Sequence, residues 1–246
     1  MHPQMNDFAE VTPALDSSFA LPPDSVAYFA DYEDKRSRLT TFFRFLTVIP
    51  PAIWLALWGI AAFFATIGAW FALVFTAKFP EGLYGFLARF HRYYTRVTAY
   101  AFLATDKFPG FGVDEPYAAH LLLGPPKDEY SRLKALFRMI LYIPFYIVAY
   151  VLTLVAEVAA VVAWFVIVVT GKQPRGLQDA LNFCLGFVFR SQVWYGLLTE
   201  DWPKFSDEAV TQALQQRGYQ GTIPPGEVVA APAAPTPPAP PAPPAV

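Results

Sequence analysis

Cysteine is almost missing from this chain: 246 residues contain one, Cys184. A single thiol excludes an intramolecular disulfide framework and any cysteine-rich metal site. Histidine is scarce as well, and His2, His91 and His120 show no ligand spacing, which argues against zinc. Charged residues make up 15%, against roughly 25% in a soluble domain. Net charge −2 and a pI of about 5.9 leave no nucleic-acid footprint. No Lys or Arg precedes Lys35, whereas Asp7, Glu10, Asp16, Asp24, Asp31, Glu33 and Asp34 do. The basic start and apolar centre of a cleavable signal are both lacking. The first apolar run is therefore expected to act as its own insertion signal and to stay in the chain.

What is present is hydrophobic surface. Apolar residues reach 55% and mean hydropathy is +0.33. Residues Phe45–Ala77 carry no charge, and Met139–Gly171 carry only Glu157. At about 1.5 Å per helical residue each run would reach roughly 50 Å, more than the roughly 30 Å of a hydrocarbon core. The composition thus reads as an integral membrane protein.

The two runs belong to an internal repeat. A shift of 94 residues aligns 37–111 with 131–205 without a gap, with 25 identities in 75 positions. Ser37-Arg38-Leu39 returns as Ser131-Arg132-Leu133, Phe43-Arg44 as Phe137-Arg138, and Ile49-Pro50 as Ile143-Pro144. Trp70-Phe71 returns as Trp164-Phe165, and Thr76, Lys78, Pro80, Gly82 and Leu83 as Thr170, Lys172, Pro174, Gly176 and Leu177. Arg96 matches Arg190, and the unit closes with Thr105-Asp106 against Thr199-Glu200. Shared hydrophobicity alone does not place Arg, Pro, Lys and Gly in one register.

Each unit opens with a short apolar-alternating piece (26–32; 117–123) and continues into a basic helix start, capped by Ser37 in the first unit and by Asp128 or Ser131 in the second. The long apolar run follows, then a Lys-x-Pro-x-Gly turn and a second, mixed helix (83–105; 177–199). The expected organisation is an acidic segment 1–34, repeat one at 35–112, a linker at 113–128, repeat two at 129–206, and 207–246 as a short helix followed by a Pro/Ala-rich disordered tail. The fold class is all-α with little or no β. Two topologies compete for the apolar runs: a helical hairpin with both ends on one face, or a single kinked span with the mixed helix crossing back. Cations flank both ends of each run, and a hairpin turn would carry Glu157 out of the bilayer centre, so the hairpin is favoured. Equivalent cations in the two units imply one shared orientation, with both termini cytoplasmic.

The combination Ser-Arg-Leu, Ile-Pro, Trp-Phe, Thr-x-Lys-x-Pro-x-Gly-Leu and Thr-Asp-x-Phe-Pro-x-Phe resembles a bacterial, chiefly actinobacterial, family of membrane proteins catalogued only as a domain of unknown function. The resemblance covers about residues 20–206, with departures at Gln173 and at Glu200-Asp201-Trp202. It implies a location in the bacterial cytoplasmic membrane and no activity, cofactor or catalytic residue.

Nothing in the sequence forms a phosphate loop, a nucleophile elbow or a paired metal-binding helix face. The candidate lipid- or partner-contact residues are Lys35, Arg36, Arg38, Arg44, Arg96, Arg138 and Arg190. Arg96 and Arg190 would pair with Asp106 and Glu200, with lipid phosphate or with the other unit. Glu157 is the candidate intramembrane acid, and the tryptophans read as an interface belt. The expected function is a non-catalytic accessory or scaffold protein contacting anionic lipid headgroups and protein partners or further copies of itself. A transporter or channel subunit is the alternative.

Overall fold

The structure, a computed structural model, describes residues 23–113, 115 and 117–205. The expected features at 1–22 and 207–246 lie outside the described residues. Strand β1 (Val26–Ala30) leads into two short helices, α1 (Arg38–Phe42) and α2 (Arg44–Thr47), and then into the long helix α3 (Ile49–Thr76) and its companion α4 (Glu81–Ala101). The second unit repeats this as β2 (Ala119–Leu123), α5 (Arg132–Leu136), α6 (Arg138–Thr170) and α7 (Arg175–Tyr195). The apolar-alternating pieces are therefore strands, and the rest is helical. Ser37 and Ser131 cap their helices, accepting from the Thr40 and Lys134 amides.

The hairpin expectation is overturned, because α3 and α6 each run unbroken through the position assigned to the turn. Thr66 and Gly68, which a turn could use, both stay helical in α3. The Thr66 hydroxyl donates back to the Ala62 carbonyl at 2.8 Å, and Thr153 to Ala149 at 2.8 Å, so both are satisfied within the helix. The two helices end alike, on residues in the left-handed region: Gly171 at φ 73° and Ala77 at φ 59°. Both helices are long and apolar enough to cross a membrane, yet only 17% of the most apolar stretch of each is buried. A helix at the centre of a soluble core would be covered.

The units pair about a pseudo-two-fold axis. Strands β1 and β2 are antiparallel, with Ala27 opposite Leu122 and Tyr28 opposite Leu121. The 94-residue shift maps Ala27 onto Leu121 and Tyr28 onto Leu122, so the axis passes through the centre of this ladder. Contacts away from the ribbon obey the same operation. The Trp164 indole donates to the Thr41 carbonyl at 3.0 Å, and Trp70 to Ala135 at 3.0 Å. The Arg36 amide donates to Gly171 at 2.9 Å, and Tyr130 to Ala77 at 2.8 Å.

These reciprocal bonds fix the direction of the long helices. The chain entering α3 lies against the end of α6, and the chain entering α6 lies against the end of α3. With helix lengths of about 42 and 50 Å at 1.5 Å per residue, the two must run antiparallel. Companions α4 and α7 pack on α3 and α6, and the ribbon packs on the companions. The result has three layers: ribbon, companion helices, long helices. Its core joins Tyr28 to Phe189 (ring centroids 4.7 Å apart) and Phe189 to Tyr94 (5.9 Å).

Candidate functional site: two arginine latches and an apolar floor

The basic helix starts were expected to meet lipid or partner, and burial corrects that for four of the seven residues. Arg36, Arg44, Arg138 and Arg190 are buried and turn inward. Arg44 donates to the carbonyls of Tyr100 (3.1 Å) and Thr105 (2.9 Å), forms an ion pair with Asp106, and lies over the Tyr100 ring at 4.0 Å. Asp106 also accepts from the Ser37 amide at 2.7 Å. The acid that ends the unit thus holds the serine and arginine that begin it.

The second unit repeats this latch in part, keeping the acid-to-serine bond and the arginine over an aromatic ring. Glu200 accepts from the Ser131 amide at 2.6 Å, and Arg138 lies over the Trp194 ring at 4.1 Å. Here Glu200 is shared with Lys127 (3.1 Å), which also reaches Asp24 at 2.9 Å. Burial of Lys127 opposes its charge, but the hydrogen bonds it donates to Asp24 and Glu200 outweigh it and raise its pKa. The first unit has no such lysine, since Glu33 stands at the position equivalent to Lys127; there Arg36 bonds Ala104 (3.1 Å) and Gln178 (3.3 Å), and burial lowers its pKa while Asp106 and Glu33 oppose the shift.

Arg96 and Arg190 do not take Asp106 and Glu200. Arg96 clamps the following loop through the carbonyls of Gly112 (3.1 Å), Val113 (2.7 Å) and Glu115 (2.6 Å), and Arg190 does the same at Lys204 (3.2 Å). Lys35 and Arg38 remain exposed at the surface, Arg38 donating to the Thr170 carbonyl at 3.1 Å. Glu157 is exposed near the middle of α6. The tryptophans expected in a belt divide: Trp70 and Trp164 pin one unit to the other, and Trp194 is fully buried. Sequence reasoning missed these latches and pins, although the serine–acid pair, the arginine on its aromatic ring and the tryptophan pin each recur at the 94-residue shift.

Symmetry breaks at His91, whose equivalent is Leu185. The imidazole is buried, with Nδ1 2.8 Å from the Leu87 carbonyl and Nε2 3.2 Å from that of Gln192. It fills the space over Gly196, where an added Cβ would come within 2.6 Å of His91 Cε1. Burial lowers the His91 pKa below its ordinary value. The unfolded chain then takes up the proton first, near pH 6.5. Stability is fully present above that pH and falls as pH drops through 6.5 toward the lowered folded value. His91→Leu is expected to flatten this slope in acid unfolding titrations; an unchanged slope would show that His91 is not its source.

The largest surface feature is apolar. Leu57, Ile60, Phe64 and Phe75 on α3, with Val151, Val158, Phe165 and Val169 on α6, are all exposed. Together the two helices form a floor on the face opposite the ribbon. Among the described residues no group of His, Cys, Asp or Glu is placed to hold a metal ion.

No curated protein and no solved structure matches the chain. A family described as a domain of unknown function, DUF4389, matches twice, at residues 38–112 and 132–207. Both matches begin at the basic helix start and run past the latch acid, so the family's unit is the latched unit seen here. The chain belongs to the DUF4389 family and carries two tandem copies of its domain.

Proposed function

We propose that this chain is a non-catalytic membrane protein of the bacterial cytoplasmic membrane, seated by α3 and α6 and acting as a scaffold. The observation that carries the reading is the exposure of the floor. An apolar face of two helices, each 40 Å or more by about 1.5 Å per residue, far exceeds the few hundred Å² that a soluble monomer leaves uncovered. Buried arginines support the scaffold half of the reading. In a membrane protein such groups commonly mark a pathway, whereas here they hold carbonyls and helix ends. The transporter alternative has the inverted pairing of repeats in its favour, but the seam between units is closed by packed side chains such as His91 on Gly196.

Fractionation tests the seat. The protein is expected to stay in the membrane pellet through alkaline carbonate and to leave it only with detergent. Phe64→Lys with Val158→Lys places two charges on the floor. At about 1 kcal/mol each after snorkelling, they should weaken partitioning roughly thirtyfold. Recovery of the unaltered protein in the soluble fraction would refute the seat.

A further inference from the structure

We infer that the long helices do not cross the bilayer: α3 and α6 lie in the plane of one leaflet, floor inward, with the ribbon facing water. The inference rests on the membrane seat proposed above and adds its orientation. Four observations carry it.

The first is the ribbon. Residue 24 sits at the end marked by Trp70, where Asp24 meets Lys127 and the Glu200 amide, while Asp34 and Arg36 sit at the opposite end, beside Gln173 and Gly171. The extended chain between them therefore runs parallel to the long helices. Crossing helices would take this sheet, two-stranded among the described residues, to bilayer depth beside them. Open sheet edges are not tolerated in hydrocarbon. The second is charge at mid-length: Arg89 and Arg92 are exposed at the middle of α4, the depth a crossing would make most hostile.

The third is the placing of exposed cations at the ends. Arg38 and Lys172 lie at the Trp164 end, and their repeat equivalents Arg132 and Lys78 at the Trp70 end. A crossing would set matching cations on both sides, without the bias that orients membrane proteins. Lying flat brings all four to one headgroup layer, complementary to anionic lipid. The fourth is the polar stripe of α6. Tyr146, Tyr150, Thr153 and Glu157 follow one another at helical spacing, beside the buried line of Ala149 and Ala156 and off the outward line of Leu154, Val158 and Phe165. A stripe along the axis keeps one depth only when the axis lies in the membrane plane.

A leaflet suits this floor better than a second copy would. Two floors face to face would set the cations of both copies around one rim, like charge against like.

Sided labelling decides the matter. Single cysteines at Lys78→Cys and Lys172→Cys, in a Cys184→Ser chain, are treated with an impermeant maleimide in right-side-out and in inverted vesicles. Arg38→Cys and Arg132→Cys repeat the test at the same two ends. Both positions should label from one and the same side, at least tenfold faster than from the other. Labelling of the two ends from opposite sides would overturn the in-plane orientation and leave the membrane seat standing. Recovery of the protein as a soluble monomer or dimer would overturn both.

Discussion

Arg44→Met is expected to destabilise the protein by about 3 kcal/mol, the lower end for breaking a buried ion pair. The guanidinium is 3% exposed and meets two carbonyls, a carboxylate and an aromatic face at once. Methionine fills much of the volume but leaves Asp106 with the Ser37 amide as its main partner. Asp106 is partly exposed, so water relieves some of the penalty, which sets the value at the low end. Arg44→Lys should fall between, because an ammonium keeps the charge but loses the planar fork that reaches Tyr100, Thr105 and Asp106 together. The double variant Arg44→Met with Asp106→Asn should be milder than the single one, since no unpaired acid remains. Thermal or denaturant unfolding in one detergent reads all three. Equal stability of Arg44→Met and the unaltered protein would show that the latch does not hold the unit closed.

Trp194→Ala is expected to cost about 3–5 kcal/mol, the range for removing a large buried aromatic. Its ring is fully buried, stacks on Trp202 at 5.2 Å, approaches Phe145 at 5.6 Å and carries Arg138 at 4.1 Å. Truncation opens a cavity and strips the aromatic face from a buried guanidinium. That guanidinium already has Nε and Nη1 without a partner among the described residues. Trp194→Phe should cost less than about 1.5 kcal/mol. The indole N–H finds no acceptor among the described residues, so losing it forfeits no hydrogen bond. Position 100, its equivalent in the first unit, shows a smaller ring serving the same purpose, with Tyr100 under Arg44. A Trp194→Phe variant as unstable as Trp194→Ala would mean that the indole, not the ring face, is what the site needs.

Much of this architecture was legible in the sequence. The repeat, its register and the serine caps follow from residue pattern, whereas the alternating openings, read within an all-α fold, are strands. The hairpin does not survive, because Glu157 sits exposed on an unbroken helix and needs no turn. A position at the flank of a helix lying flat keeps it from the bilayer centre. The relative direction of the units was also hidden. Equivalent cations imply a shared orientation, whereas the two-fold pairing sets the two units in opposite directions. The pairing itself rests on contacts such as Trp70 to Ala135 and Arg36 to Gly171, which no local periodicity announces. One signal was available: among the positions preserved between the long helices are the small buried ones, Ala62 with Ala156 and Ala69 with Ala163. At an exposed position the two diverge as far as Phe63 and Glu157. Preserved alanines mark the faces on which the companions pack.

The inverted pairing of the two units is the claim on which the rest depends, and two spin-label distances test it most directly. Labels at Lys78 and Arg132 would share one end of the bundle, where the Tyr130 amide donates to Ala77. Labels at Lys78 and Lys172 would sit at opposite ends, about 45 Å apart along helices rising 1.5 Å per residue. In lipid, with Cys184 replaced by serine, the account predicts a short first distance and a long second one. Units running parallel would reverse the two, with Lys78 beside Lys172 and Arg132 far away, and that result would contradict it.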